Sequence, residues 1–306
     1  MRTDLDHLPD RKRRDLERVV QILFAEFEDA TALATQKWKK QGRILKIILY
    51  GSHARGDWVE DPAGGYFSDY DILVVASDER LTDTLEFWAK ADEHLTREVT
   101  IAKRISAPVN FIVHSLRDVN EQLQRGRPFF VDIVRDGIVL YEADGHPFDN
   151  PRPLTPAAAL KEARAYFTMW SGSAGQFMVQ GKEAADRGWD NKAAFELHQA
   201  TERFYHTVLL TLSLYSPKSH KLSFLRSQAE PLVPELINVW PRDTRFANRC
   251  FELLRQAYVN ARYSPHYRIK TEELEWLAER IELLQKLVTE SCERHIGDLE
   301  KAVAAS

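Results

Sequence analysis

Cysteine is scarce: the 306 residues include two, Cys250 and Cys292. Two thiols make neither a disulfide framework nor a thiolate metal cage on their own, which excludes a small disulfide-stapled scaffold and a cysteine zinc module. Long apolar runs are also lacking. None approaches the ~20 residues that a bilayer span requires, so no membrane association is expected. Met1 to Arg14 is charged and has no apolar core, so no secretory leader is expected either. The chain has no large excess of charge: 42 Lys+Arg stand against 46 Asp+Glu, a formal charge of -4. That balance excludes a general polyanion binder and confines any nucleic-acid contact to a local patch. Internal repeats and low-complexity tracts are absent. What is present is 44% hydrophobic and 29% charged, long enough for about two domains with real cores. The expectation is a cytoplasmic two-domain protein.

The two halves read differently. Between about Arg43 and Tyr141 short β-type runs alternate with helical stretches, whereas from Thr155 onward the pattern is helical. Between them, Asp144-Gly-His-Pro-Phe-Asp-Asn-Pro-Arg-Pro-Leu-Thr-Pro156 carries four prolines, which forbid a continuous helix and suit a linker. The expected division is residues 1–143, a linker at 144–155, and residues 156–306. Leu16, Val19, Val20, Leu23, Phe24 and Phe27 recur at helical spacing and predict a helix from Asp10 to Gln41. Ile44–Tyr50, Ile72–Val75, Val109–Val113 and Ile138–Tyr141 read as strands. Leu81–Arg97 reads as a helix, and Ser115 as the cap of another that runs through Gln124. The second half reads as helices over 156–182, 190–213, 219–230, 243–260 and 270–295, joined by short loops as in an antiparallel bundle.

One stretch carries chemistry: Leu49-Tyr-Gly51-Ser52-His-Ala-Arg55-Gly56, followed by Ser68-Asp69-Tyr-Asp71-Ile-Leu-Val. Asp69 and Asp71, two apart on one predicted strand, project from the same face. Two carboxylates ahead of an apolar run are costly unless solvated or bound to a cation, and magnesium suits a few carboxylates plus phosphate oxygens and water. Gly51 permits close backbone approach at a strand end. Ser52 would offer a hydroxyl and an N–H at the start of a short helix, where an anion can sit. Together these describe a site for a metal and a nucleoside triphosphate. Arg55, one helical turn on, is a candidate phosphate contact, or a partner of Asp57 or Asp69. His53 reads as a surface or loop residue.

Gly51-Ser52-x-Ala54-Arg55-Gly56 with Ser68-Asp69-Tyr70-Asp71 resembles the nucleotidyltransferase superfamily of DNA polymerase β, kanamycin nucleotidyltransferase and the minimal nucleotidyltransferases. The resemblance covers about residues 40 to 141, and Phe129–Glu142 looks like the tail of such domains. It implies an α+β nucleotidyltransferase domain with a small mixed sheet, Mg²⁺ (or Mn²⁺) at Asp69 and Asp71, and triphosphate over Gly51 and Ser52. The sequence departs from the pattern twice. The spacer from Ser52 to Asp69 holds 16 residues, with Asp61-Pro-Ala-Gly-Gly65 as the insertion. The family's third acid, on a later strand, maps to Asn110, which is neutral; Asp132 and Glu98 are alternative acids.

The second half resembles HEPN domains over about residues 156 to 295. Phe195-Glu-Leu-His-Gln-Ala-Thr-Glu202 looks like the second helix and Ser219–Leu225 like the next segment. Ala261-Arg262-Tyr263-Ser264-Pro265-His266-Tyr267 with Lys270–Leu274 looks like the entry to the last. The implied architecture is an all-α HEPN-type helical bundle after the first domain. Many HEPN members are RNases with four to six residues between the Arg and the His. Arg262 and His266 have three between them, so this pair reads as lining a turn, with a toxin-like RNase, of the kind found in toxin–antitoxin pairs, as a third reading. His198 and Glu202, one turn apart, read as a hydrogen-bonded pair ahead of a metal pair.

The leading expectation is Mg-dependent transfer of a nucleoside monophosphate from an NTP, ATP first, to a hydroxyl of a small molecule or protein, releasing pyrophosphate. The runner-up is a weakened nucleotide-binding and interaction module. The run Arg11-Lys-Arg-Arg14 reads first as a solvated face and second as an RNA contact. Leu274, Leu277, Ile281, Leu284, Leu287 and Val288 line one face of the last helix, either as a homodimer seam or as the bundle's own closure, and the HEPN resemblance implies pairing.

Overall fold

The computed structural model describes residues 1–61 and 66–305. Positions 62–65 of the expected insertion lie outside the described residues. The chain divides into two compact units, Met1–Pro153 and Leu154–Ser306, and the split falls in the proline-rich segment.

The first unit is built on a four-stranded mixed sheet. Strands β1 (Ile44–Tyr50), β4 (Tyr70–Ala76), β5 (Val109–Ser115) and β6 (Ile138–Glu142) lie in the order β5-β4-β1-β6. β1 runs antiparallel to both β4 and β6, while β4 and β5 are parallel. β1 and β4 are buried at every position, as continuous apolar runs in the middle of a covered sheet should be. Lys46 alone breaks the apolar run of β1, and its ammonium is met by the Glu142 carboxylate and lies 4.9 Å from the Phe148 ring centre. The two-residue strands β2 (Glu60–Asp61) and β3 (Tyr66–Phe67) form a separate small hairpin.

Helix α1 (Asp10–Thr31) buries Leu16, Val19, Leu23 and Phe27 against one sheet face. It ends ten residues before the expected Gln41. Thr31 turns its hydroxyl back onto the Phe27 carbonyl at 2.9 Å, and a separate turn, α2 (Lys37–Lys40), carries Trp38 onto Phe87. A short helix, α3 (Gly51–Arg55), follows β1. The single helix expected over Leu81–Arg97 is instead three pieces: a 3-10 turn at Glu79–Thr82, a π turn at Thr84–Trp88, and α4 (Ala89–Thr100). A side-chain cap at Asp83 starts the second piece, as one at Asp78 starts the first, while α4 has no side-chain cap at Trp88. Asp78 accepts from the Arg80 N–H at 3.0 Å and Asp83 from the Glu86 N–H at 2.9 Å, each starting a new turn. Ser115 caps α5 (Leu116–Gln124) by accepting from the Asp118 N–H at 3.1 Å. Helix α6 (Pro128–Asp136), opened by proline in its first turn, stands where the sequence was read only as a domain tail.

The second unit is helical: α7 (Pro156–Asp186), α8 (Asp190–Ser213), α9 (Leu222–Ala229), a 3-10 turn at Pro234–Val239, α10 (Arg245–Tyr263) and α11 (Thr271–Ala304). α8 is buried nearly all round and packs against α7, α9, α10 and α11. Leu274, Leu277, Ile281, Leu284 and Val288 lie wholly inside this core, with Leu287 packed against it. The apolar face of the last helix therefore closes its own bundle, and the dimer-seam reading of those residues is set aside. Among the described residues no helix is long and apolar enough to cross a membrane.

Candidate active site

The end of β1 and the start of β4 meet at the expected motif. Gly51 opens α3 at φ +74, and a Cβ there would lie 2.5 Å from Asp71 Oδ2. Only glycine tolerates both the left-handed backbone and the carboxylate against it. Asp71 is the second residue of β4 and is buried, paired in register with Tyr50 on one side and Asn110 on the other. Asp69 lies one residue ahead of the strand rather than on it. Its Oδ2 accepts from the Asn110 side-chain amide at 2.7 Å. Asp69, Asp71 and Asn110 thus converge at one sheet end, facing Gly51.

Ser52 is half-buried in α3, its carbonyl taken by the N–H groups of Gly56 at 2.9 Å and Asp57 at 3.1 Å. Arg55 is exposed and pairs with Asp57 at 3.3 Å, the structural one of its two expected roles. The alternative acids are engaged elsewhere. Glu98, on α4, is buried between Arg18 and Arg104, whose guanidiniums, Arg18 foremost, hold its pKa down to about 2. Asp132, on α6, pairs with Arg135 at 2.8 Å, and burial raises its pKa.

His53 corrects the surface-residue expectation, because it is fully buried. Its ring stacks on Trp58 at 5.7 Å and packs on Tyr70 at 4.4 Å between centres, and Nδ1 lies 3.0 Å from the Asp69 carbonyl. A carbonyl only accepts, so Nδ1 carries the proton. Burial first, then the Lys12 charge, push the His53 pKa down to about 4, so the ring is neutral near pH 7. It ties the turn that begins at Gly51 to the backbone of Asp69. From the N-terminal segment, His7 Nε2 lies 2.8 Å from the His53 carbonyl, and Arg2 bonds the Ala54 carbonyl. On the α1 side, Asp15 is buried and accepts from the Tyr70 hydroxyl at 3.0 Å and the Ser106 N–H at 2.9 Å. It thereby clamps the entries to β4 and β5.

In the helical unit, Arg262 and His266 are both exposed. The Arg262 Nε donates to the Tyr258 carbonyl at 2.7 Å, and its guanidinium lies 4.8 Å from the Phe195 and Tyr258 ring centres and 5.0 Å from that of Tyr263. Tyr267, next to His266, anchors the turn through its hydroxyl on the Leu253 carbonyl at 3.0 Å. His198 and Glu202 are 3.5 Å apart, and His220 closes on the same carboxylate at 3.0 Å. Burial raises the pKa of Glu202, but the neighbouring His198 and His220 rings outweigh it and leave the pKa lowered. Among the described residues no group of three or more His, Cys, Asp or Glu is placed to hold a metal ion.

Residues 34–146 match the model of the polymerase β nucleotidyltransferase domain, and residues 168–294 match that of the HEPN domain. A relative from Methanocaldococcus jannaschii is 32% identical over 105 residues, 34% of this chain and 86% of the relative. Its name is that of a protein adenylyltransferase, an activity the name itself gives as provisional. The chain belongs to the polymerase β nucleotidyltransferases, and a HEPN domain follows. The nucleotidyltransferase domain is a transferase of nucleoside monophosphate groups. Within it the Gly-Ser and Asp-x-Asp residues were readable from spacing, and the structure brings them together. His53 and Asp15 were not. No periodicity marks a polar side chain as enclosed, although His53 stands inside the motif itself.

Proposed function

We propose that the protein transfers AMP from ATP to a hydroxyl on a protein acceptor, in a Mg²⁺-dependent reaction that releases pyrophosphate. The observation that carries this is the convergence of Asp69, Asp71 and Asn110 opposite Gly51. The choice of adenylyl group and protein acceptor rests on the relative's name. The donor set fits Mg²⁺: two carboxylates are a usual protein contribution, with phosphate oxygens and water completing six positions. Asp69 and Asp71 would hold the ion, which when bound offsets the charge of the phosphate oxygens. The N–H groups at Gly51 and Ser52 hold the triphosphate, close because residue 51 has no side chain. His53 fixes Asp69 through its carbonyl. The acceptor hydroxyl oxygen forms its bond to the α-phosphorus and gives up its proton to solvent as the bond to the bridging oxygen breaks and pyrophosphate leaves. Asn110 accepts no proton, so the rate rests on positioning and charge neutralisation, which dominate phosphoryl-type transfer.

The test is incubation of the full chain with α-labelled ATP, Mg²⁺ and candidate protein acceptors. Label should pass to protein and vanish in an Asp69→Ala/Asp71→Ala double variant; retained transfer would remove both residues from the mechanism. The Asn110–Asp69 bond favours a second reading, a nucleotide-binding module without turnover. Tight Mg-ATP binding by calorimetry with no acceptor modified would select it.

A further inference from the structure

A second charged feature lies on the other side of β4. Arg11, Arg14 and Arg18 follow one face of α1, and Lys103 and Arg104 come from the turn after α4; together they line a recess of about 370 Å³. That volume is within the range of small-ligand sites. Five cations face three carboxylates there, Asp15 and Glu17 in the lining and Glu98 beside it, in a chain whose total charge is -4. Two of the three acids are already spent. Asp15 is bonded by Tyr70 and Ser106. Glu98, 2% exposed, binds the Arg18 Nε and the Arg104 Nη2, the latter at 2.5 Å. Each guanidinium has five N–H donors, so one bond to a buried carboxylate holds it in place and leaves donors over. Arg11, Arg14 and Lys103 have no ion pair among the described residues. Lys103 also holds a left-handed backbone, φ 51, a strain that lysine does not favour.

We propose that this recess is an anion site for an oligophosphate, distinct from the triphosphate position at Gly51. Tyr70 reaches Asp15 on the α1 side, and its strand neighbour Asp71 projects the opposite way, so the sheet separates the two. The lining contains no aromatic or aliphatic side chain, so it offers no stacking platform for bases. Guanidinium forks match phosphate oxygens two at a time, and four of the five cations are arginines.

The probe is inorganic tripolyphosphate, titrated into the full chain by calorimetry in EDTA, so that metal-dependent binding at Asp69 and Asp71 does not contribute. Arg11→Gln/Arg14→Gln/Lys103→Gln should weaken binding by about tenfold or more, since each lost charge-assisted bond costs about that. These side chains are on the surface, so the melting temperature should stay put and certify folding. Gly51→Ala, whose Cβ crowds the triphosphate position, should bind as the unaltered chain does at a temperature where its melting curve shows it folded. Equal affinity in the triple variant would overturn the site. So would loss of binding in folded Gly51→Ala, which would place the anion at the triphosphate position. Hexaglutamate binding as tightly as tripolyphosphate would replace the oligophosphate with an acidic peptide.

Discussion

The side-chain amide of Asn110 donates to Oδ2 of Asp69 at 2.7 Å, from the residue paired in register with Asp71 on the adjacent parallel strand. Asn110, expected from the sequence to stand where the resembling family has a third acid, is a donor that holds one of the two carboxylates. Asn110→Asp replaces that donor with a like charge, repulsive unless a cation intervenes. The expected outcome is a lower melting temperature without metal, a larger rise on adding Mg²⁺, and faster AMP transfer. Unchanged or slower transfer would mean that a third carboxylate is not what limits the site.

Gly51→Ala should damage both the fold and the candidate site. Its Cβ would meet Asp71 Oδ2 at 2.5 Å, on a backbone at φ +74 that costs an L-residue roughly 1–2 kcal/mol. Transfer should fall by more than the loss of folded protein explains, because the displaced group is a proposed metal ligand. Thermal unfolding beside single-turnover assays separates the two effects. A variant with intact turnover would show that Gly51 is needed for folding alone.

His53 sets a pH dependence. Its folded pKa of about 4 lies below the ordinary 6.5, so the unfolded chain binds more protons as pH falls between those values. Stability is unaffected above about pH 6.5 and declines toward pH 4, by roughly 3 kcal/mol from this group. His53→Phe keeps a ring against Trp58 and Tyr70 but loses the bond to the Asp69 carbonyl. It should be less stable than the unaltered chain at pH 7 by about 1 kcal/mol. The gap should close or reverse by pH 4.5 in urea unfolding. A gap independent of pH would show that the buried ring does not resist protonation.

Ile44–Tyr50 could be read from end to end because a covered strand is a continuous apolar run with a glycine at its exit. The same logic exposed Gly51 and Asp71, whose types and spacing are tied to strand ends. Helix breaks were harder. Asp78 and Asp83 are unremarkable acids until their carboxylates are seen capping new turns, and Phe129-Phe-Val-Asp-Ile-Val has strand-like composition yet forms α6 behind Pro128. Asp15 and His53 escaped for a different reason. Their roles depend on residues 55 and 16 positions away, Tyr70 and Asp69, and no local period records such a pairing.

The exposed pair Arg262 and His266 separates a structural from a nucleolytic role. The Arg262 guanidinium lies among Phe195, Tyr258 and Tyr263, and its Nε is committed to the Tyr258 carbonyl. Cation–π contacts at exposed sites contribute about 0.5–1 kcal/mol each, and the hydrogen bond about 1. Arg262→Ala should therefore destabilise the helical unit by up to roughly 2–4 kcal/mol. His266→Ala should leave stability within about 0.5 kcal/mol, as for a surface position without a special role. Incubated with labelled RNA, the unaltered chain and both variants should show the same low background. Cleavage by the unaltered chain that disappears in His266→Ala would instead make the pair catalytic, with Arg262 released from its aromatic neighbours when RNA binds.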